Sequence, residues 1–167
     1  VLTGADAVDL LQRITTNDLE GMSATDVRNT CLVDANGRML DLFSVWHLGT
    51  ELLLVGSEDR GETLRAHLAD AGSWKDDVQA MDADEALVLL TLVGEGADDV
   101  VCHLVGELPE SGRWRMGDTC WCAQPMHDGE ADAWDIVCQT GSREGVLALL
   151  ARHGVSEGDE QAWQEER

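Results

Sequence analysis

The dipeptide Asn36-Gly37 lies between two apolar runs and constrains the fold more than any other feature of the chain. Asn-Gly is the strongest short-range signal for a β-hairpin, because the tight turn that matches strand twist needs positive φ at both positions. The residues around it predict strands over 28–35 and 38–48, and a third strand over 51–56 extends them into a meander. We therefore expect the first part of the chain to form an antiparallel sheet.

Helical patterns alternate with further strands in the remainder of the chain. Thr3 is predicted to cap a helix that runs to Leu19, since its hydroxyl can accept a hydrogen bond from a free backbone N–H. Further helices are predicted over 58–71, 97–105 and 142–153. Further strands are predicted over 78–81, 86–93, 119–126 and 133–139. This order predicts an α+β fold of two similar α+β subdomains with antiparallel sheets, about 1–80 and 81–167.

Asp41 is the strongest candidate for a functional residue. Strand alternation places it on the same face as Phe43, and both faces of this strand are largely apolar. A two-residue turn at Asn36-Gly37 would set Asp41 opposite Leu32, which leaves it without a basic cross-strand partner. A carboxylate in apolar surroundings either keeps a proton or pairs with a ligand, so Asp41 is suited to proton handling or to recognition of a protonated nitrogen. The alternative is an edge position that leaves Asp41 in water.

The charge of the chain excludes two classes of partner. Its 33 acidic and 11 basic residues give a net charge of −22, which would repel nucleic acid and anionic membranes. The acidic residues are spread along the whole chain and Lys75 is the only lysine. This pattern favours a salt-adapted surface, as in the acidic proteome of a halophilic source, over an interaction site for cations or basic proteins.

Cysteine usage and the absence of long apolar runs indicate a cytoplasmic protein. The five cysteines show no disulfide-framework spacing, and no run is long enough to span a bilayer. Cys120 and Cys122 would share one strand face, but without paired ligand motifs we expect inert buried thiols and no metal site. The chain opens at Val1 and stops at Arg167 within a charged stretch, so we expect it to lack a C-terminal portion of the full protein.

A glycine-rich turn after a predicted strand raises a nucleotide-binding alternative. Gly94-Glu95-Gly96 precedes a predicted helix, as a dinucleotide fingerprint would. Asp99 replaces the third glycine, and the acidic residues beside it would repel a pyrophosphate at the helix N-terminus. A dinucleotide site is therefore disfavoured.

Two segments carry a family resemblance. Ile14-Thr15-Thr16-Asn17-Asp18 and Gly37-Arg38-Met39-Leu40-Asp41 resemble the folate-binding domain of the glycine cleavage T-protein (aminomethyltransferase) superfamily. In that family a glycine turn leads to an aspartate that faces the reactive nitrogens of folate. The resemblance implies that residues 1–167 form a folate-binding domain of two intertwined α+β subdomains, with tetrahydrofolate in a central cleft.

The resemblance also implies site residues. Asp41 would be the catalytic residue or a cofactor contact, and Phe43 on the same strand face would be a further contact. Trp134-Asp135-Ile136 is similar to the family's aromatic-acid-aliphatic stretch, so Asp135 would hold the pterin edge through two hydrogen bonds. The anionic tail of folate needs a local arginine, for which Arg38 is a candidate together with Arg13 and Arg28.

Departures from the family pattern divide the functional hypotheses. Leu42 replaces a second aspartate, Arg38 replaces a second turn glycine, Gly56 replaces an asparagine, and the chain contains no tyrosine. The glycine-arginine turn looks more like the branch that supports iron-sulfur cluster assembly or repair. One hypothesis is a folate-binding protein that acts with iron-sulfur proteins or in one-carbon metabolism. The alternatives are an aminomethyltransferase that acts on a lipoyl carrier protein, and a degenerate module that has lost its ligand.

Overall fold

The computed structural model describes residues 1–57, 60–123 and 133–158 of the chain. The chain divides into two compact units, one formed by Val1–Glu85 and Gly112–Trp114, the other by Ala86–Ser111 and Arg115–Arg167. Each unit contains a β-sheet with helices, and the strands pair antiparallel. The predicted α+β class with antiparallel sheets is confirmed.

The first unit is built on a five-stranded sheet. Its elements in chain order are β1 (Leu2–Thr3), α1 (Ala7–Ile14), β2 (Val27–Val33), β3 (Met39–His47), β4 (Glu51–Val55), α2 (Gly61–Ala71) and β5 (Gln79–Ala80). The strand order is β2-β3-β4-β1-β5, so β3 has a neighbour on both sides. The predicted meander is therefore present, and its middle strand carries Asp41.

The core of the first unit lies between its sheet and its helices. The helices contribute an apolar stripe and the sheet contributes large side chains; the buried set includes Leu10, Leu11, Leu32, Phe43, Val45, Leu52, Leu64 and Leu68. Burial of each such side chain contributes about 1.5 to 3 kcal/mol relative to exposure. This core fixes the position of β3.

The first helix is shorter than the sequence predicts. Thr3 lies in β1, where it pairs with Glu51 and Gln79, so its predicted role as a helix cap is wrong. Gly4 turns the chain with a φ of +114°, and a Cβ there would lie 1.9 Å from the carbonyl oxygen of Asp77. This long-range contact delays the helix to Ala7, and extended backbone at Thr15 ends it far before Leu19.

The β2–β3 hairpin closes through a wider loop than the two-residue turn expected at Asn36-Gly37. The amide of Asp34 donates to the carbonyl of Arg38 at 2.9 Å. The Asp34 carboxylate accepts hydrogen bonds from the amides of Asn36 at 2.8 Å and Arg38 at 2.9 Å. These bonds, with that from Arg38 the strongest, hold the pKa of Asp34 below its ordinary value.

A β-bulge restores the register that the wider loop would have shifted. Val33 pairs with Met39, and the next pair is Leu32 with Asp41, so Leu40 is the extra residue. The predicted position of Asp41 opposite Leu32 is therefore confirmed. The loop and the bulge differ from a simple hairpin by one residue each, and their effects on register cancel.

The second unit is built on a four-stranded sheet. Its elements are β6 (Leu87–Val93), α3 (Ala97–Val105), β7 (Trp114–Met116), β8 (Cys120–Ala123), β9 (Ala133–Gln139), a 3₁₀ turn (Thr140–Ser142) and α4 (Arg143–Arg152), with strand order β6-β9-β8-β7. Its core is formed by α3, α4 and the sheet, and includes Val101, Leu104, Cys122, Ile136, Val146 and Leu150. The predicted strand over 119–126 is described to Ala123, and its remainder lies outside the described residues. Among the described helices, none is long and apolar enough to cross a membrane.

Candidate functional site

Asp41 is a buried carboxylate on an interior strand of the first sheet. Its side chain is 8% exposed, and its strand lies between β2 and β4. Phe43 and Val45 on the same face of β3 are fully buried in the core. Asp41 is thus held among apolar side chains, and the alternative of a solvated edge position is wrong.

The two oxygens of the Asp41 carboxylate have different surroundings. Oδ1 accepts a hydrogen bond from the amide of Leu42 at 2.9 Å and another from the hydroxyl of Ser57 at 2.8 Å. Oδ2 is buried and has no hydrogen-bond partner among the described residues. A buried acceptor without a donor costs about 1 to 3 kcal/mol, and more when it is charged. A donor that reached Oδ2 would therefore gain a strong hydrogen bond.

Gly56, the residue after β4, lies against the same carboxylate. A Cβ at this position would be 3.2 Å from Oδ2 of Asp41 and 3.3 Å from the Cβ of Phe43. Glycine therefore lets the backbone approach the carboxylate closely, and this approach brings the hydroxyl of Ser57 to Oδ1. We call the group formed by Asp41, Gly56 and Ser57 the Asp41 site.

Phe43 and Arg38 lie on the same hairpin as Asp41 but in different environments. The side chain of Phe43 is 0% exposed, so it supports the wall of the Asp41 site from the core. Arg38 lies in the exposed loop of the hairpin, and its guanidinium makes no hydrogen bond or ion pair with the residues that the structure describes. Phe43 and Arg38 are thus both near Asp41 in the chain, but Phe43 packs in the core and Arg38 lies at the surface.

The other two arginines considered for an anionic group are already engaged. Arg13 forms an ion pair with Asp76 at 2.7 Å. The guanidinium of Arg28 donates to the carbonyls of Asp18 at 2.8 Å and Glu20 at 3.1 Å. Of the three candidates, Arg38 is the one whose charge remains available within the described part of the chain.

Asp135 belongs to the second unit and is described there by itself. It lies on β9, where it pairs with Thr91 of β6 and Ala123 of β8. The carboxylate is 9% exposed, and its Oδ1 accepts a hydrogen bond from the hydroxyl of Thr91 at 3.0 Å. Asp135 is therefore a buried acid with a hydroxyl donor, rather than an aspartate that faces solvent.

The threonine-threonine-asparagine-aspartate segment holds the chain between α1 and β2 in place. The amide of Thr16 donates to the carbonyl of Cys31 at 3.0 Å. Asn17 donates from its amide to the hydroxyl of Thr30 at 3.1 Å and from its side chain to the carbonyl of Asn29 at 2.7 Å. These contacts attach the segment to β2, so its described role is structural.

Three cysteines of the second unit form a buried group that we call the thiol cluster: Cys120, Cys122 and Cys138. Cys120 pairs directly with Cys138 across β8 and β9. A hydrogen bond from the thiol of Cys122 lowers the pKa of Cys120 and raises that of Cys122. Burial raises the pKa of Cys138. Within the described residues no group of three or more histidine, cysteine or acidic side chains is arranged to hold a metal ion.

Ser57 is the residue of the Asp41 site that the sequence did not indicate. It follows a strand that ends at Val55, in a stretch with no motif. The pairing of β3 with β4 brings it to Asp41, which is sixteen positions away in the chain. A serine two residues beyond the strand opposite a buried aspartate is the signal that could have identified it.

Comparison with solved structures identifies the fold. The chain is similar to the glycine cleavage system aminomethyltransferase T from Bartonella henselae, with a TM-score of 0.71 and 20% sequence identity. The similarity covers 89% of this chain and 42% of that chain. The fold is therefore that of the T-protein.

The family follows from the sequence match. Residues 1–158 match the GCVT N-terminal domain, and the chain belongs to this family. It is 21% identical over 168 residues to proteins named aminomethyltransferase from Clostridium botulinum strains Loch Maree / Type A3 and Okra / Type B1. Each match covers 95% of this chain and 45% of the relative, so the chain spans less than half of their length.

Proposed function

We propose that this chain binds reduced folate, with Asp41 as the residue that accepts a hydrogen bond from a ring nitrogen. The observation that supports this most strongly is Oδ2 of Asp41, a buried carboxylate oxygen with no hydrogen-bond partner in the described part of the chain. Tetrahydrofolate carries N–H groups on its reduced ring, and such a group is the complement that this oxygen lacks. Membership in the GCVT N-terminal domain family supports the same ligand.

Other predicted site residues are assigned by the chemistry that each can offer. Arg38 has an available guanidinium at the surface and would attract the carboxylates of the folate tail, which a chain of net charge −22 otherwise repels. Asp135 is an acid suited to the paired N–H groups of the pterin edge. Phe43 is fully buried, so we assign it a packing role in the core beside Asp41.

The activity of the whole protein has two candidates. The Gly37-Arg38 turn and the absence of tyrosine favour a folate-binding accessory protein, with iron-sulfur proteins as partners or a role in one-carbon metabolism. The relatives named aminomethyltransferase favour the second candidate, transfer of a one-carbon unit from a lipoyl carrier protein to tetrahydrofolate. In that case Asp41 would hold or move a proton beside the reacting nitrogen.

Titration calorimetry of this chain with tetrahydrofolate at molar salt tests the proposed ligand. We expect saturable binding of tetrahydrofolate and a higher melting temperature at saturation, because a ligand that binds only the folded state stabilises it. A nicotinamide dinucleotide is the control and should give neither effect. No heat and no melting shift with tetrahydrofolate would leave only the degenerate module.

Release of ammonia from an aminomethylated lipoyl carrier protein separates the two activities. For the accessory role we expect little or no ammonia with this chain and tetrahydrofolate. Rapid release that Asp41→Asn abolishes would establish the aminomethyltransferase candidate instead.

A further inference from the structure

The hydroxyl of Ser57 determines which oxygen of Asp41 is left without a partner among the described residues. Oδ1 receives the Leu42 amide, which the backbone of β3 places beside it, and the Ser57 hydroxyl, which arrives from the end of β4. An sp² oxygen has two lone pairs, so these two donors satisfy Oδ1. Within the described ranges, the unsatisfied hydrogen-bonding capacity of the buried carboxylate therefore lies on Oδ2.

We propose that Ser57 is a positioning residue that makes Asp41 an acceptor through one oxygen, directed at a single N–H of the ligand. This inference rests on the proposed binding of reduced folate. A forked donor, such as the paired N–H groups of an amidine, needs both oxygens of a carboxylate. Because Oδ1 is already engaged, Asp41 is matched to one ring nitrogen and is mismatched to the pyrimidine edge of a pterin.

Without the Ser57 hydroxyl, the carboxylate would lose this asymmetry. The terminal torsion of an aspartate is broad and nearly two-fold, so contacts rather than intrinsic preference fix its orientation. The Leu42 amide alone can bond to either oxygen as the group rotates. Gly56 supports the same arrangement, since its lack of a Cβ permits the close approach that brings Ser57 within 2.8 Å of Oδ1. The orientation of Asp41 therefore depends on Ser57.

A double-mutant cycle on tetrahydrofolate affinity tests this role. We expect Ser57→Ala to weaken binding by about three- to tenfold in the otherwise unchanged chain. In an Asp41→Asn background, the same substitution should change the affinity less than about twofold, because the oriented carboxylate is already absent. Ser57→Thr, which keeps the hydroxyl, should restore most of the affinity. If Ser57→Ala perturbs folding, Ser57→Cys replaces it as a near-isosteric, weaker donor.

Ser23→Ala is the matched control. The Ser23 hydroxyl also donates to an aspartate, at 3.1 Å to Asp26, but it precedes β2 at the end of the β2–β3 pair opposite Asp41. Its removal should leave the affinity unchanged.

The outcomes separate the role of Ser57 from the proposed ligand. Equal losses from Ser57→Ala in both backgrounds, or no loss in either, would overturn the role of Ser57 while folate binding stands. Failure of the unsubstituted chain to bind tetrahydrofolate would overturn the proposed function, and the role of Ser57 with it.

Discussion

Gly56→Ala should weaken folate binding while it leaves the stability of the fold nearly unchanged. The added Cβ would lie 3.2 Å from Oδ2 of Asp41 and 3.3 Å from the Cβ of Phe43. Both distances are shorter than ordinary van der Waals contact, so the neighbours must shift by a few tenths of an ångström. The carboxylate can rotate away from the methyl group, whereas the Cβ of Phe43 is held by the strand and the core, so the backbone at Gly56 must give way there.

The two effects on stability nearly cancel. Gly56 does not have a positive φ, so alanine fits its backbone. Alanine also reduces the conformational entropy of the unfolded chain, which stabilises the folded state by about 0.4 to 1 kcal/mol. The tight contacts oppose this gain, and overpacking of a full core costs about 1 to 3 kcal/mol. Because the carboxylate can rotate, we place the cost at the low end and expect a net change within about 1 kcal/mol.

The effect on binding is larger because the methyl group displaces the Oδ2 acceptor from its position. Loss of a hydrogen bond that leaves a buried acceptor unpaired costs about 1 to 3 kcal/mol, which weakens binding by about fivefold or more. Urea unfolding gives the free energy of unfolding, and calorimetry with tetrahydrofolate gives the affinity, both at molar salt.

Gly145→Ala provides the matched control. Gly145 lies on the exposed side of α4, and no atom lies within 4 Å of the position of its Cβ. This variant should gain about 0.5 to 1 kcal/mol of stability from helix propensity and bind tetrahydrofolate normally. Unchanged affinity of Gly56→Ala would refute the placement of the ligand at Oδ2. A decrease of more than about 3 kcal/mol in the free energy of unfolding of Gly56→Ala would show that Gly56 is needed for core packing instead.

Three further predictions concern the rest of the molecule. With a net charge of −22, we propose a salt-adapted surface and expect the melting temperature to rise steadily from low to molar salt; a flat dependence would contradict this. A colorimetric thiol reagent should modify Cys31 and Cys102, which are partly exposed, much faster than the thiol cluster, and equal rates for all five thiols would show that the cluster is open. Hydrogen bonds from Ser23 lower the pKa of Asp26 below its ordinary value of 3.8. The ionised Asp26 carboxylate therefore stabilises the fold above pH 3.8, and this contribution is lost as the pH falls through the lowered pKa of the folded state. The free energy of unfolding should therefore decrease below about pH 4, and Asp26→Asn should reduce that slope in acid titrations.

The sequence predicted the position of Asp41 because that position depends on local pairing. Asn36-Gly37 marks the hairpin, and strand alternation places Asp41 on the core face opposite Leu32. The loop proved one residue wider than expected, since the Asp34 carboxylate binds the amides of Asn36 and Arg38. The bulge at Leu40 compensates for this difference. The predicted register of Asp41 is therefore correct although the predicted two-residue turn is not.

The features that the sequence did not predict depend on contacts between distant residues. The start of α1 is set by the approach of Gly4 to Asp77, seventy-three positions later in the chain, which no local pattern records. The capping preference of Thr3 is overridden because the residue joins β1. Ser57 likewise reaches Asp41 only through the pairing of β3 with β4. Local propensity therefore predicts the helices and strands, whereas the different surroundings of the two Asp41 oxygens depend on tertiary contacts.

Calorimetric titration of the unsubstituted chain and of Asp41→Asn with tetrahydrofolate, in parallel at molar salt, tests the central claim most directly. The asparagine keeps an oxygen for the Leu42 amide and the Ser57 hydroxyl but presents an uncharged amide in place of Oδ2. We predict that the substitution weakens binding by about 1 to 3 kcal/mol without unfolding the domain. Equal affinities for tetrahydrofolate in the two proteins would contradict the claim that Asp41 receives the ligand.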